Sequence, residues 1–143
     1  MYIGLDIGGT NIKGILTNPS GTILAQAKIQ TGTSKAEIEK NIDSITHTLA
    51  QKAKLSMKSL KAIGIGIAGA VDSNKGIVLQ SPNIPALNKY PLADKIRKKT
   101  GIPTFIENDA NVALLGEFWL GNGKKYRNWL MLTLGTGVGG GAI

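Results

Sequence analysis

The sequence predicts an α/β fold, a mixed β-sheet with helices on its faces. Three observations carry this. The chain opens with apolar, strand-like runs joined by tight turns, which is how an antiparallel meander reads. Strands and helices then alternate, the pattern of strands joined by helical crossovers. An apolar strand leading through a glycine-rich turn into another strand occurs near the start and again near the end of the 143 residues.

Tyr2–Ile7 is a short apolar run ending at Gly8-Gly9. Residues 12–16 and 22–29 are two further strands, joined by the turn Asn18-Pro19-Ser20-Gly21. Ser34-Lys35-Ala36-Glu37 is a capping box, in which Ser34 accepts from the Glu37 amide and Glu37 reaches back. Ile38, Ile42, Ile45 and Leu49 follow on one helical face, which predicts a helix over about 35–54. His47, the single histidine, falls in this helix and is read as a surface or packing residue.

Residues 60–67 form the next strand, with Ile63, Ile65 and Ile67 alternating with small residues, and Ala68-Gly69-Ala70-Val71-Asp72 is read as a loop. Residues 76–80 are a short strand. Residues 81–91 hold three of the five prolines and are read as a loop of restricted φ. Leu92–Thr100 is a helix closed by Gly101. Residues 104–107 are a strand and Asp109–Leu120 a helix that Gly121-Asn122-Gly123 ends. Residues 129–134 lead into the second glycine turn, and 139–143 begin the strand after it.

Composition excludes several classes. With no cysteine, the chain holds no disulfide, iron–sulfur cluster or thiolate zinc site, which fits a reducing, cytoplasmic setting. No signal-peptide pattern is visible, and the apolar stretch at 62–71 is glycine-broken and short of a membrane span. The net charge of +8 concentrates in Lys95-Ile96-Arg97-Lys98-Lys99 and Lys124-Lys125-Tyr126-Arg127. Such patches attract nucleic acid, anionic lipid or phosphorylated molecules. Without interleaved stacking aromatics they read instead as solvated helix ends, and neither a DNA nor a membrane partner is expected.

The chemistry lies in the turns. In Asp6-Ile7-Gly8-Gly9-Thr10-Asn11-Ile12-Lys13, glycines let the backbone approach an anion and successive amides can form a nest. Thr10 and Asn11 add side-chain hydrogen bonds, and Lys13 adds charge. Asp6, at the strand end, can hold Mg²⁺ directly or through water. The alternative is an ordinary glycine hairpin with an acidic flank. The run Gly135-Thr136-Gly137-Val138-Gly139-Gly140-Gly141 has five glycines in seven positions after an apolar strand. Alone it reads equally as a bulged hairpin; paired with the first, it suggests two loops gripping one polyphosphate.

Glu107-Asn108-Asp109-Ala110-Asn111 places four polar residues where a strand ends and a helix starts. A carboxylate there can accept a proton from an attacking hydroxyl, or Asp109 can be the helix N-cap. Asn108 offers donor and acceptor to a sugar hydroxyl. Asn83, in Ser81-Pro82-Asn83-Ile84-Pro85, offers the same, or forms an Asx-type turn.

With these motifs assembled, the chain resembles the ROK family of sugar kinases and regulators, within the actin/hexokinase superfamily. The resemblance spans essentially the whole chain. It runs through Leu5-Asp6-Ile7-Gly8-Gly9-Thr10, Gly64-Ile65-Gly66-Ile67-Ala68-Gly69-Ala70-Val71-Asp72, Ser81-Pro82-Asn83-Ile84-Pro85, Glu107-Asn108-Asp109-Ala110-Asn111 and Leu132-Thr133-Leu134-Gly135-Thr136-Gly137-Val138-Gly139-Gly140-Gly141. It implies an actin-like, ribonuclease H-like domain with a mixed five-stranded sheet over 1–125, and the first hairpin of a second, nucleotide-binding domain over 126–143. It implies Asp109 as catalytic base and Asn83, Asn108, Gly69 and Glu107 at the sugar. Gly8, Gly9, Thr10, Asn11 and Lys13 match the first phosphate loop, with Asp6 near Mg²⁺, and Gly135, Thr136, Gly137 and Gly139 match the second.

The implied activity is ATP-dependent, glucokinase-like phosphorylation of a hexose, with ATP and Mg²⁺ as cofactors and a homodimer as the full-length form. Ala68 departs from the proline usual in the family. The family's downstream Glu and His sugar ligands, its zinc motif and its adenosine site all fall beyond Ile143. A strand at 139–143 with no partner beyond it points to the N-terminal part of a longer protein, inactive by itself. The alternatives are a sugar-responsive transcriptional regulator or non-catalytic sensor, and a polyphosphate-using kinase. With five residues before Asp6, a regulator's DNA-binding helices are not expected.

Overall fold

The structure is a computed structural model describing residues 1–125, 127–128, 130–134 and 138–142. Strands β1 (Tyr2–Ile7), β2 (Asn11–Thr17) and β3 (Ile23–Gln30) are followed by α1 (Lys35–Lys52) and β4 (Ala62–Ile67). Next come β5 (Ala70–Asp72), β6 (Ile77–Gln80), α2 (Leu92–Thr100), β7 (Thr104–Asn108) and α3 (Asp109–Leu120). A last hairpin pairs β8 (Leu130–Leu134) with β9 (Val138–Ala142).

The central sheet has five strands in the order β3-β2-β1-β4-β7. β1, β2 and β3 form the expected antiparallel meander, while β4 and β7 add parallel to β1. The predicted mixed sheet is therefore present. Ala68–Asp72 is not wholly loop, because Ala70–Asp72 forms β5 and pairs antiparallel with β6. The half-buried Val71, packed against the core opposite Val78, accounts for this short strand.

The α1 face is the one its spacing predicts: Ile38, Ile42, Ile45 and Leu49 are buried. The Ser34 hydroxyl accepts from the Glu37 amide at 3.2 Å, but Glu37 reaches one residue past the cap, accepting from the Thr33 amide at 2.8 Å. α2 buries Leu92, Ala93 and Ile96 and ends at Gly101, whose left-handed φ of 73° suits glycine. The Tyr90 hydroxyl donates to Glu39, tying α1 to the segment before α2.

Both helices cover one face of the sheet, where Ile3, Leu5, Ile7, Ile63, Ile65 and Ile67 form the core. Gly14 lies on this face, and a Cβ there would come within 2.9 Å of Leu49 and Leu5. α3 lies across the other face, where a Cβ on Gly66 would meet Val112 and the Asp109 Cα. No helix among the described residues is long and apolar enough to cross a membrane.

Candidate ligand cleft at the carboxyl ends of the parallel strands

Strand register lines up the predicted chemistry. Asp6 on β1 pairs with Lys13 on β2 and with Gly66 on β4, and Gly66 pairs with Glu107 on β7. Residues level in adjacent strands point to the same face. Asp6, Lys13 and Glu107 therefore form one row on the α3 face, close to the carboxyl ends of the parallel strands. Open α/β sheets bind their ligands at such ends.

The first glycine turn closes tightly, with the Gly8 amide donating to the Asn11 carbonyl at 3.0 Å. Its carbonyls are tethered from behind by Thr31. The Thr31 hydroxyl donates to the Gly8 carbonyl at 2.6 Å, and its amide donates to the Thr10 carbonyl at 3.0 Å. Thr10 and Lys13 are exposed beside this turn. A Cβ on Gly9 would lie 2.9 Å from the Asn83 carbonyl oxygen, so the turn packs directly on the proline-framed loop.

That loop is fixed in its turn. Ser81, fully buried, donates its hydroxyl to the Ala68 carbonyl at 2.7 Å, and its amide donates to Asn88 at 2.8 Å. Gly69 adopts φ 131°, and a Cβ there would sit 2.1 Å from the Gln80 carbonyl, so only glycine fits. The exposed Asn83 thus sits beside the first glycine turn, in a loop whose Ser81 packs on Gly69.

Asn108, not Asp109, is the α3 N-cap, accepting from the Ala110 and Asn111 amides at 2.9 and 3.3 Å. Its amide nitrogen donates to the Gly69 carbonyl at 2.9 Å. The side chain offered above to a sugar hydroxyl is thus largely engaged within the protein. Capping by Asn108 leaves Asp109 as the first helical residue, exposed, with Oδ1 accepting only from the adjacent Ala110 amide at 3.0 Å among the described contacts. Asp6, Gly66, Asp109 and Val112 line one cleft of about 370 Å³. The cleft joins the strand-end carboxylate to the helix-start carboxylate.

Glu107 is tied down on both oxygens. Oε2 accepts from the Ser73 hydroxyl at 2.6 Å, and Oε1 accepts from the Asn108 amide at 2.7 Å and Asn111 Nδ2 at 3.1 Å. Burial pushes its pKa up, but these donors outweigh that and hold the carboxyl below the ordinary glutamate range. Gly135, Thr136 and Gly137 fall outside the described residues, while Gly139 lies in β9 opposite Thr133.

Three positioning hydroxyls escaped the sequence reading: Thr31, Ser73 and Ser81. Ser81 stood within a quoted motif but carried no role there. Thr31 and Ser73 lie between the predicted elements, outside every motif.

Fold and cleft together define the class, an α/β domain of the actin-like type with a cleft where parallel strands end. The ROK family model matches residues 2–143, and the chain belongs to the ROK family. A glucokinase from Halalkalibacterium halodurans is 39% identical over 145 positions, covering 99% of this chain and 43% of that protein. A xylose repressor from Caldicellulosiruptor bescii is 32% identical, covering 99% of this chain and 36% of that protein. The ROK family glucokinase of Streptomyces griseus, solved with glucose and AMPPNP, superimposes with a TM-score of 0.87 at 37% identity, over 99% of this chain and 44% of that one. The chain spans less than half the length of these relatives.

Proposed function

We propose that the protein carrying this chain is an ATP-dependent hexose kinase of the glucokinase kind. The observation that carries the reading is the shared cleft: Asp6 and Asp109 face one space, with the first glycine turn beside it. Kinship with glucokinases over the whole chain supports it.

In this reading Asp109 accepts the proton of the sugar hydroxyl as that oxygen attacks the terminal phosphoryl group. A carboxylate with one local hydrogen bond at a helix start is free to turn toward that hydroxyl. Asn83 and the remaining capacity of Asn108 orient the sugar, Gly69 lines the pocket, and Glu107 forms its wall. Gly8, Gly9, Thr10, Asn11 and Lys13 hold the phosphates from one side, and Gly135, Thr136, Gly137 and Gly139 from the other. Asp6 fits Mg²⁺, which takes one or two carboxylates plus phosphate oxygens rather than a full protein cage. When bound, the ion neutralises charge on the phosphates. Alignment and charge stabilisation, rather than covalent participation, supply the rate. The domain boundary near residue 125 belongs to the same proposal.

The test is a panel of glucose, mannose, fructose, allose and N-acetylmannosamine with ATP, run on the intact protein that carries these residues. Asp109→Asn is expected to lower turnover by about 10²–10⁴ while sugar binding by calorimetry persists. Near-normal turnover in that variant would remove Asp109 as the base. Kinship to the xylose repressor carries a second reading, a sugar-responsive regulator. Specific DNA binding at physiological salt, with no phosphorylation of any sugar, would favour it.

A further inference from the structure

We propose that Ser73 is a positioning residue for the start of α3: its hydroxyl fixes the Glu107 carboxylate, and Glu107 holds the Asn108–Asn111 turn that carries Asp109. The catalytic consequence rests on the kinase reading above.

The contacts come from three separate pieces of backbone. Ser73, on the β5–β6 turn and 34 residues away in sequence, donates to Oε2 at 2.6 Å. The Asn108 amide, at the end of β7, donates to Oε1 at 2.7 Å, and Asn111, in the first turn of α3, donates to the same oxygen at 3.1 Å. One carboxylate therefore clasps a turn, a strand end and a helix start.

Packing explains why the clasp matters. α1 buries six side chains, whereas α3 buries only Leu114. Little apolar contact fixes the α3 N-terminus, so polar contacts at its first turn set where Asp109 stands. These are the Asn108 cap, the Asn108–Gly69 hydrogen bond and the Glu107 clasp. Behind Ser73 lies a cavity of about 400 Å³, lined also by Lys75, Arg97 and Phe105. No close-packed wall replaces the hydrogen bond if it is lost.

The charged groups facing it from the surrounding elements are Asp109 on α3, Asp6 and Lys13 in the same row on β1 and β2, the Asp72–Lys75 pair flanking Ser73, and Asp94 with Arg97 and Lys98 on α2. None is among the groups that donate to Glu107. Each donor favours the ionised form, so losing Ser73 raises the Glu107 pKa. Protonation of Glu107 breaks the clasp, and the acid limb of activity then moves to higher pH.

The experiment compares Ser73→Ala and Ser73→Thr with wild type in the intact protein. Ser73→Ala is expected to lower kcat about tenfold, within the ~10²-fold that a misplacement of roughly 1 Å can cost. The KM for ATP should stay within about twofold, since the phosphate turn is untouched. The acid limb should move up in Ser73→Ala and return in Ser73→Thr, which keeps the hydroxyl. A carbon-13 titration of the Glu107 carboxyl should follow the same order, and the Ala110 and Asn111 amides should exchange faster in Ser73→Ala. A wild-type kcat and acid limb in Ser73→Ala overturns the proposal, as does a Glu107 titration that does not move. If wild type phosphorylates no sugar, the kinase reading falls by itself. The titration and amide exchange then decide the clasp, and unchanged values in Ser73→Ala overturn it.

Discussion

Toward α1 and α2, β1 presents Ile3, Leu5 and Ile7, none more than 3% exposed. Toward α3, the same strand presents Tyr2, Gly4 and Asp6. β4 repeats the contrast, with Ile63, Ile65 and Ile67 on one face and Gly64 and Gly66 on the other. Branched side chains close-pack the covered face and leave no room for a ligand. Glycines on the other face leave space for the start of α3 and the cleft beside it. The period-two alternation of a strand thus separates the packed core from the candidate cleft within a few ångströms. The α3 face keeps an apolar groove of about 580 Å³ between α3 and the β2–β3 hairpin, where Leu115, Phe118 and Trp119 are 52%, 40% and 48% exposed.

The largest effect expected from this contrast is on folding. Ile65 is 1% exposed, and Ile65→Ala should lose roughly 2–5 kcal/mol in urea unfolding. Leu115→Ala, on the open groove, should change stability by no more than about 0.5 kcal/mol. Equal losses at the two positions would sink the division between the faces.

Much of the covered side was legible in the sequence. The Ile38, Ile42, Ile45 and Leu49 spacing named the buried face of α1, and Gly101 named the end of α2. Both are local signals, set by helical period and by a left-handed cap. The candidate cleft was legible only where its residues form short motifs, as at Asp6-Ile7-Gly8-Gly9-Thr10 and Glu107-Asn108-Asp109. Two adjacent cap-forming residues, Asn108 and Asp109, leave the cap position open until the end of β7 fixes the register. The partners of Thr31, Ser73 and Ser81 lie 23, 34 and 13 residues away, and no periodicity announces such pairs. α3 is apolar nearly all round, so its sequence names no inward face; sheet geometry selects Leu114. β5 spans three residues and is created by its pairing with β6 rather than by a pattern of its own.

A smaller effect is expected where the two regions meet. Thr31 is fully buried, yet its hydroxyl holds the first glycine turn through the Gly8 carbonyl. Thr31→Val keeps the shape and removes the donor, so it should lose about 1–3 kcal/mol. If the tether shapes the turn, the KM for ATP rises more than kcat falls. A stability loss with unchanged ATP kinetics would assign Thr31 to the core alone.

The smallest effect compares the ionisation of two carboxylates, Glu37 at the start of α1 and Glu107 beside the cleft. The Thr33 amide is the main cause that holds the exposed Glu37 below the ordinary glutamate range, outweighing its slight desolvation, with the Thr33 hydroxyl, the Ser34 backbone and Lys40 adding to it. Its folded pKa is therefore below its unfolded one. The stabilisation is present above the unfolded value and is lost as pH falls through the folded value. Urea unfolding of wild type and Glu37→Gln, followed from about pH 7 to about pH 3, should show a gap at neutral pH that closes on acidification. Turnover at neutral pH should be the same in both, because Glu37 anchors only its own helix start. That is the opposite of the outcome expected for Ser73→Ala, whose carboxylate partner acts on the cleft. A gap that persists unchanged into acid would show that Glu37 stabilises through packing rather than charge. A loss of turnover in Glu37→Gln would extend the functional region across the sheet to the covered side.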